Sequence, residues 1–313
     1  MSADTLVTIR KESDDSSFAD IDPQEVARAL RTAGSVAIRG FDASLDDFVS
    51  ISDAICADWH DYRGGGFRFG SLDRATVDTE SSILTATGST QTFPVPLHGE
   101  MYYFQERPQV LWFYCQVPPA GGGGETTVCD GAELLTALPE EVREYLRAND
   151  LVYHRRLEGS DWRQAFMTEN LDEIDRICQA NNTTMSYNRE SDVVTTQYRT
   201  SAIVIGSDGT ERLLSSLLPV WFGEQIADAG TAGDVLHEES GRTPPIVIRT
   251  PEGERVPEQI VYAVYSVGEA LEQRVDWQPG EILAVNNTTT AHGRTESQDP
   301  DRLIYVRMGQ FAT

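Results

Sequence analysis

The sequence predicts a mainly β protein with flanking helices, built on a double-stranded β-helix (jelly-roll) core. Short apolar runs bounded by Pro and Gly, which are typical of strands, begin near residue 83 and include "VLWFYCQV" and "TTVCDG". Two further strand-like runs, "EILAVNN" and "DRLIYVRMGQ", close the chain. Because strands from both ends of the sequence flank inserted helices, we expect an antiparallel jelly-roll barrel.

Helices are predicted outside these strands. The segment "DPQEVARALRTAG" begins with Asp22 as N-cap, has Pro23 at the first helical position and ends at Gly34. The strand-like run "SVAIRGF" follows it directly. Apolar residues at helical spacing predict three more helices, in "SLDDFVSISDAICADW", "AELLTALPEEVREYLRAND" and "PEQIVYAVYSVGEALEQ".

The chain is expected to form one domain over residues 1–313. Its 313 residues, 40% of them hydrophobic, can bury one large core, and the only low-complexity tract is the run of glycines at 121–124. No linker is evident. Within this domain we expect a mixed α/β insertion at about 131–250, with candidate strands in "LVYHRRL", "VVTTQYR", "SAIVIG" and "ERLLSSL".

Charge and cysteine usage limit the partners. The formal net charge of -25 repels a nucleic-acid backbone and an anionic membrane surface. This acidity fits solubility or a salty cytoplasm, and a preference for a cationic substrate is the alternative. The four cysteines form no CxxC pair, and no apolar run approaches the length of a leader or a membrane span. We expect a soluble, cytoplasmic protein with no nucleic-acid or membrane partner.

The segment "FPVPLHGEMYYF" contains a candidate pair of metal ligands, His98 and Glu100. In an extended strand, residues two apart point to the same face, so both side chains would enter one cavity. An ionised glutamate among aromatic residues is costly unless a cation or a full set of hydrogen bonds compensates it. His237 and Glu239 have the same spacing, but they lie in the polar run "GDVLHEESGR", where water can solvate both. We therefore predict a metal site at the first pair and a surface position for the second, with a satisfied core histidine as the alternative for His98.

A third ligand is needed to complete a site of two histidines and one carboxylate, which holds Fe(II) and leaves positions free for O2. His60 is predicted at a helix end, and His154 lies beside two arginines that disfavour a cation. The remaining candidate is His292, in "PGEILAVNNTTTAHGR". Arg302 and Arg307 follow it in a strand-like segment. A guanidinium suits the distal carboxylate of a keto-acid that chelates the metal, and a surface charge is the alternative.

Five segments, spread in order over nearly the whole chain, carry a family resemblance. They are "LRTAGSVAIRGF", "LHGEMYY", "PPAGGGGETTVCDG", "QPGEILAVNNTTTAHGRT" and "DRLIYVRM". Together they resemble the TauD/TfdA family of Fe(II)- and 2-oxoglutarate-dependent oxygenases, within the clavaminate-synthase-like superfamily. The resemblance implies that His98, Glu100 and His292 are the iron ligands. It also implies that Thr126, in the "GGET" turn, contacts 2-oxoglutarate.

The chain departs from the family pattern at two points. The commonest form is His-x-Asp, whereas Glu100 matches the clavaminate synthase and amino-acid hydroxylase branch. The family's two arginines are usually four apart on one strand, whereas Arg302 and Arg307 are five apart. A regular strand would place these two on opposite faces unless a bulge intervenes. By motif order Arg302 is assigned to 2-oxoglutarate, and Arg307 stays open as a substrate-facing residue or as the true anchor.

The resemblance implies an enzyme that couples oxidative decarboxylation of 2-oxoglutarate, with O2, to oxidation of a small molecule. The branch indicates hydroxylation of an amino acid or an amino-acid-derived metabolite. The alternatives are desaturation or another oxidative outcome in natural-product biosynthesis, and a jelly-roll binding protein without catalysis. The loops "DYRGGGFRFG" and "TATGSTQTFPVP" are expected to form a mobile lid that contributes Tyr62, Arg68 or Gln91.

Overall fold

The computed structural model describes residues 5–13, 15–62, 74–86, 93–229 and 246–312, with the backbone alone for 226–229. Its strands are β1 (Leu6–Arg10), β2 (Ser35–Arg39), β3 (Cys56–Ala57), β4 (Thr76–Asp78), β5 (Ile83–Thr85), β6 (Val95–His98), β7 (Val110–Val117), β8 (Thr126–Asp130), β9 (Leu151–Glu158), β10 (Thr183–Asn188), β11 (Val193–Thr200), β12 (Ile203–Ile205), β13 (Glu211–Leu213), β14 (Ile246–Arg249), β15 (Gln273–Val275), β16 (Ile282–Asn286), β17 (Thr290–Arg294) and β18 (Leu303–Phe311).

The helices are α1 (Pro23–Ala33), α2 (Leu45–Asp53), α3 (Gly131–Ala137), α4 (Glu140–Ala148), α5 (Ser160–Phe166), α6 (Leu171–Ala180), α7 (Leu217–Ala229) and α8 (Glu258–Leu271). A short 3-10 turn covers Phe18–Asp20. Among the helices that the structure describes, none is long and apolar enough to cross a lipid bilayer.

Two sheets form the jelly-roll core. The larger has the order β1-β2-β16-β7-β18-β5-β4, and β3 pairs with the end of β18. The smaller has the order β15-β8-β17-β6. All of these pairs are antiparallel except β1 with β2. The predicted mainly β fold with flanking helices is therefore confirmed, and the C-terminal strands β16, β17 and β18 contribute to the two sheets.

Strand β16 shows how the larger sheet separates two cores. Its residues are all buried and alternate between the two faces, as the two-residue period of a strand requires. Ile282 and Ala284 pack in the layer beneath α1 and α2, with Leu30 and Phe48. Leu283, on the other face, packs inside the barrel among residues from both sheets. The sheet thus has an outer face covered by helices and an inner face that lines the barrel.

The helix signals in the sequence hold for α1. The Asp22 side chain accepts a hydrogen bond from Gln24 N, and the helix ends at Gly34 in the left-handed conformation (φ 95°). The single helix expected over "AELLTALPEEVREYLRAND" is wrong, because the structure has two helices, α3 and α4. Proline disfavours the α conformation of the preceding residue, and Leu138, just before Pro139, is extended (ψ 148°).

Between the core strands, the described part of residues 131–250 forms a third sheet, of order β10-β11-β9-β14, and a hairpin of β12 and β13. The expected strands are present, but α5, α6 and α7 were not predicted. Helix α6 does carry a start signal, since the Asn170 side chain caps Asp172 N and Glu173 N. This segment shares one hydrophobic cluster with Leu97 and Ala291 of the smaller sheet. Its description as an insertion in a single domain remains a prediction.

Candidate metal centre

His98, Glu100 and His292 meet at the inner face of the smaller sheet. One ligand atom from each lies within 4.8 Å of the others. The Nε2 atoms of His98 and His292 are 3.9 Å and 3.6 Å from Oε2 of Glu100. Glu100 and His292 are buried, and the His98 side chain is 15% exposed. Two imidazoles and a carboxylate therefore converge on one point from residues up to 194 positions apart.

Strand pairing brings the two histidines together. In the antiparallel ladder of β6 with β17, His98 lies directly opposite His292, so their side chains share a face and their ring centroids are 4.3 Å apart. The position of Glu100 in the backbone differs from the one that the sequence predicted. Strand β6 ends at His98, and Glu100 lies in the turn that follows, before Met101 at φ 59°. The predicted extended strand through Glu100 is therefore wrong, although its carboxylate still reaches the histidines.

Asn287 holds the backbone of Glu100 in that turn. Glu100 N donates to Asn287 Oδ1 (2.8 Å), and Asn287 Nδ2 donates back to Glu100 O (3.1 Å). The same Nδ2 also donates to Pro108 O (2.8 Å). Asn287 is buried and follows β16 directly. Sequence reasoning missed this residue, whose only signal was a polar side chain at the end of an apolar strand.

The electrostatics of the site leave these side chains in protonation states that could bind a metal ion. Burial acts to raise the pKa of Glu100, but Arg74 and the two histidines outweigh it and hold the carboxylate anionic. Burial and the neighbouring His292 lower the pKa of His98 to about 4, so its ring is neutral at pH 7. Nδ1 of His98 is 2.9 Å from Pro96 O, which places the ring proton there and leaves the Nε2 lone pair free. This donor set fits Fe(II).

Tyr62 and Arg74 contact the carboxylate of Glu100. Tyr62, one of the predicted lid residues, donates its hydroxyl to Oε1 (3.2 Å). Arg74, which sequence reasoning missed, donates from Nη2 to Oε2 (2.9 Å) and lies over the Tyr62 ring, 4.5 Å from its centroid. The other two lid candidates, Arg68 and Gln91, lie outside the described residues. So does the second His-x-Glu pair, at 237 and 239.

Thr126 and Arg302 lie together at one end of the barrel. Arg302 donates from Nε to Gly124 O (2.9 Å), and Thr126 Oγ1 accepts from Trp277 Nε1 (3.1 Å). Gly124 has φ +77°, and a Cβ there would come within 2.9 Å of Arg302 Cδ, so the turn requires glycine at this position. Burial, reinforced by the nearby charge of Arg294, lowers the pKa of Arg302 to about 10.

Arg294 is a second buried guanidinium in this region that sequence reasoning missed. It lies two residues after His292 on β17 and directly opposite Thr126 on β8, so the three side chains share a face. Its Nη2 donates to Phe93 O (2.6 Å), and burial lowers its pKa to about 10. The "HGR" spacing was the available signal, because residues two apart in a strand point the same way.

The structure does not bring Arg307 to the metal centre. Its guanidinium lies beneath α2, where Nη2 donates to Asp53 (2.8 Å) and Nη1 donates to the Ser52 hydroxyl. Its Nε donates to Ser81 O (2.6 Å). The neighbouring Met308 contributes to the core inside the barrel, so Arg307 occupies the opposite, outer face of β18. The register of β18 with β7 shifts only between Leu303 and Ile304, before this point.

Comparison with known proteins identifies the family of the chain. Residues 6–308 match the family described as "Taurine catabolism dioxygenase TauD, TfdA family". A clavaminate synthase-like protein of Arabidopsis thaliana is 25% identical over 288 residues, which cover 88% of this chain and 81% of the relative. The dapdiamide synthesis protein DdaC of Enterobacter agglomerans is 24% identical over 233 residues, 69% of this chain and 66% of the relative.

Solved structures share the fold. PvcB from Pseudomonas aeruginosa superposes with a TM-score of 0.56 at 14% identity, covering 98% of this chain and 86% of PvcB. AAD-2, solved with Mn(II) and N-oxalylglycine, gives a TM-score of 0.52 at 12% identity, with 99% and 95% covered. Since the family match covers residues 6–308 of the 313, the chain belongs to the TauD/TfdA family and is an Fe(II)- and 2-oxoglutarate-dependent dioxygenase.

Proposed function

We propose that this dioxygenase hydroxylates, or otherwise oxidises, an amino acid or an amino-acid-derived metabolite. His98, Glu100 and His292 hold Fe(II). Thr126 and Arg302 contact 2-oxoglutarate. The observation that carries the proposal is the convergence of three ligand atoms within 4.8 Å, from the buried Glu100 and His292 and the partly buried His98, with the two histidines aligned by strand pairing.

When bound, Fe(II) with 2-oxoglutarate supplies the activation of O2. The protein supplies geometry. The hydrogen bond from His98 Nδ1 to Pro96 O fixes the orientation of one ring. The two-way contact between Asn287 and the backbone of Glu100 fixes the turn that carries the carboxylate. Burial of Glu100 and His292 excludes water from the reacting centre.

Arg302 suits the distal carboxylate of 2-oxoglutarate. Its side chain is buried, and within the described residues its hydrogen-bond partner is the Gly124 carbonyl, which engages Nε. That contact orients the planar group and leaves its terminal nitrogens for a carboxylate, which a guanidinium binds through charge-assisted hydrogen bonds. Thr126 is the first residue of β8, two positions after Gly124, and offers a hydroxyl that Trp277 already orients.

The names of two similar proteins support a role in small-molecule biosynthesis. DdaC is named for dapdiamide synthesis, and PvcB is described as an Fe, alpha-ketoglutarate dependent oxygenase from an isonitrile synthetic pathway. Both descriptions concern biosynthesis of small molecules. Glu100 as the carboxylate ligand points in the same direction, since it follows the amino-acid hydroxylase branch.

The test is a substrate screen with the anaerobically purified protein, Fe(II) and 2-oxoglutarate. Amino acids and their derivatives are added with O2, and succinate and O2 uptake are measured above the substrate-free background. We expect at least one compound to raise succinate formation in step with O2 uptake and to gain oxygen in its mass spectrum. Addition of a chelator is the control and should stop both. A protein that binds Fe(II) and 2-oxoglutarate but responds only to compounds unrelated to amino acids would contradict the proposed substrate.

A further inference from the structure

Alternate residues of β7 face the inside of the barrel, and Cys115, Phe113 and Leu111 mark three successive levels along it. Cys115 lies near Arg302, whose charge opposes the burial that raises the pKa of the Cys115 thiol to about 12. Phe113 lies two residues earlier on the same face, and its ring centroid is 5.8 Å from that of His292. Residues two apart in a strand are separated by about 7 Å. The metal centre therefore lies about one level away from Arg302.

Arg74 lies one level further in the same direction. Leu111, the next inner residue of β7, pairs with Met308 of β18. The sulfur of Met308 is 3.5 Å from Nη1 of Arg74, whose Nη2 contacts Glu100 Oε2. Arg302 and Arg74 thus lie on opposite sides of the metal centre. With 2-oxoglutarate at Arg302, the Arg74 side is the one left for the substrate.

Arg74 has donor capacity that the described residues do not use. Its side chain is 12% exposed, and Nη2 is bonded to Glu100. Nη1 meets the thioether of Met308, which is a weak acceptor. The face of the guanidinium packs on the Tyr62 ring. A largely buried guanidinium nitrogen whose partner among the described residues is a sulfur is better satisfied by an anionic oxygen, so this position suits a carboxylate.

The charge around the metal also favours an anion at this position. The formal charges of Fe(II), the Glu100 carboxylate, dianionic 2-oxoglutarate and the Arg302 and Arg294 guanidiniums already sum to a net positive value, and the charge of Arg74 adds to this excess. A cavity of about 720 Å³ lies beside this level, since His60, which lines it, donates from its backbone N to Met308 O (2.7 Å). The charged side chains of its lining are Asp58, Asp61, Glu106 and Glu173 against Arg176, and this acidic excess disfavours a second negative charge on the substrate. The preferred pattern is therefore one carboxylate inside and a neutral or cationic remainder outside.

We propose that Arg74 binds the carboxylate of the substrate, and that the substrate is a monocarboxylate with a neutral or cationic remainder, the charge pattern of an amino-acid zwitterion. This inference rests on the proposed function, because it places 2-oxoglutarate at Arg302. It assigns to Arg74 the substrate-facing role that the sequence left open for Arg307.

The test uses matched probes on the whole protein loaded anaerobically with Fe(II) and 2-oxoglutarate. The probes are the L-amino acids and their carboxamides, and binding is followed by calorimetry and by the change in the visible charge-transfer absorption of the loaded centre. We expect at least one monocarboxylate to bind wild type about 10-fold or more tightly than its amide. Aspartate and glutamate should bind more weakly than asparagine and glutamine.

Arg74→Gln should weaken binding of that acid by about 10-fold or more and leave the amide nearly unchanged, so that the difference within the pair disappears. Arg74→Lys, which keeps the positive charge, should retain part of the affinity difference between acid and amide. Arg307→Gln is the matched control, a buried arginine away from the site, and should keep the full difference. Circular dichroism checks the fold of each variant.

Two results would overturn the inference: equal weakening of acid and amide in Arg74→Gln, or no carboxylate in the panel that binds the loaded wild-type protein. Binding of Fe(II) and 2-oxoglutarate is measured separately in every variant. If wild type fails to bind these two, the proposed function itself fails. If it binds them and the acid–amide difference does not depend on Arg74, only the role of Arg74 is lost.

Discussion

Arg302 and Arg307 are five residues apart and both buried, yet they belong to different regions of the molecule. Arg302 lies at the end of the barrel near Thr126 and contacts a backbone carbonyl, that of Gly124. Arg307 lies in the outer layer between the larger sheet and α2, where it contacts the carboxylate of Asp53. Burial lowers the pKa of both, and at Arg307 the Asp53 carboxylate opposes the shift.

The difference lies in what compensates each charge. A buried guanidinium with a carboxylate from the same chain is already neutralised and ties two elements together, here β18 and α2. A buried guanidinium held by a carbonyl keeps its charge available for a ligand. For these two arginines the partner therefore decides the interpretation: Arg307 is structural, and Arg302 has a charge available for the proposed 2-oxoglutarate site. Arg74 differs from both, because the carboxylate that it contacts, that of Glu100, belongs to a proposed metal ligand.

The largest expected effect is at the metal centre on the inner face. His98→Ala and His292→Ala should each abolish Fe(II)-dependent turnover of 2-oxoglutarate, because removal of one imidazole destroys both metal affinity and geometry. Metal binding by the purified variants, measured beside succinate formation, checks the cause. His154→Ala on β9 and His237→Ala serve as controls and should match wild type. Equal loss in the controls would mean that the ligand assignment is wrong.

The next effect sharpens the comparison between the two arginines. Arg302→Gln removes a charge-assisted contact worth about 1.5 to 3 kcal/mol, so the apparent affinity for 2-oxoglutarate should fall about 10-fold to 150-fold. Binding of a substrate to the 2-oxoglutarate-saturated enzyme should change much less. Titration of 2-oxoglutarate, and then of substrate at saturating 2-oxoglutarate, gives the two dissociation constants for each of the Arg302→Gln and Arg307→Gln variants. A large 2-oxoglutarate defect confined to Arg307→Gln would reverse the assignment.

Arg307→Gln should instead lower stability. It removes the ion pair with Asp53 and the hydrogen bonds to Ser52 and Ser81 O. Loss of these buried contacts should reduce the free energy of unfolding by about 1 to 3 kcal/mol, which urea denaturation measures. Since the Asp53 side chain is 50% exposed, water can solvate it in the variant, and Asp53→Asn should cost less than Arg307→Gln. Unchanged stability in Arg307→Gln would remove the structural role.

The smallest effect is expected at Thr126. Thr126→Val deletes one neutral hydroxyl, worth about 0.5 to 1.5 kcal/mol, and should weaken 2-oxoglutarate binding about 2-fold to 12-fold. Thr126→Ser keeps the hydroxyl and should stay close to wild type. Calorimetric titration of 2-oxoglutarate against the two metal-loaded variants provides the measurement. Similar affinities in Ser and Val variants would show that the hydroxyl does not contact the ligand.

The sequence by itself determined the β core, helix α1, the family and the candidate ligands His98, Glu100 and His292. Each depends on a local pattern: strand alternation, a capped helix, or a short motif whose residue types state their chemistry. Helix α3 with α4 was predicted as one helix because apolar spacing continued across Pro139, where the local backbone restriction should have prevailed.

Only the tertiary structure decided which arginines surround the metal centre. Arg74 reaches Glu100 from 26 residues away, and Arg294 comes close to Arg302 through the β17 and β8 ladder rather than through sequence spacing. The carboxylate of Asp53, which neutralises Arg307, is 254 residues distant along the chain. The physical reason is that a charge's role depends on the groups that surround it in space. Those groups come from strands and turns whose pairing no local pattern specifies.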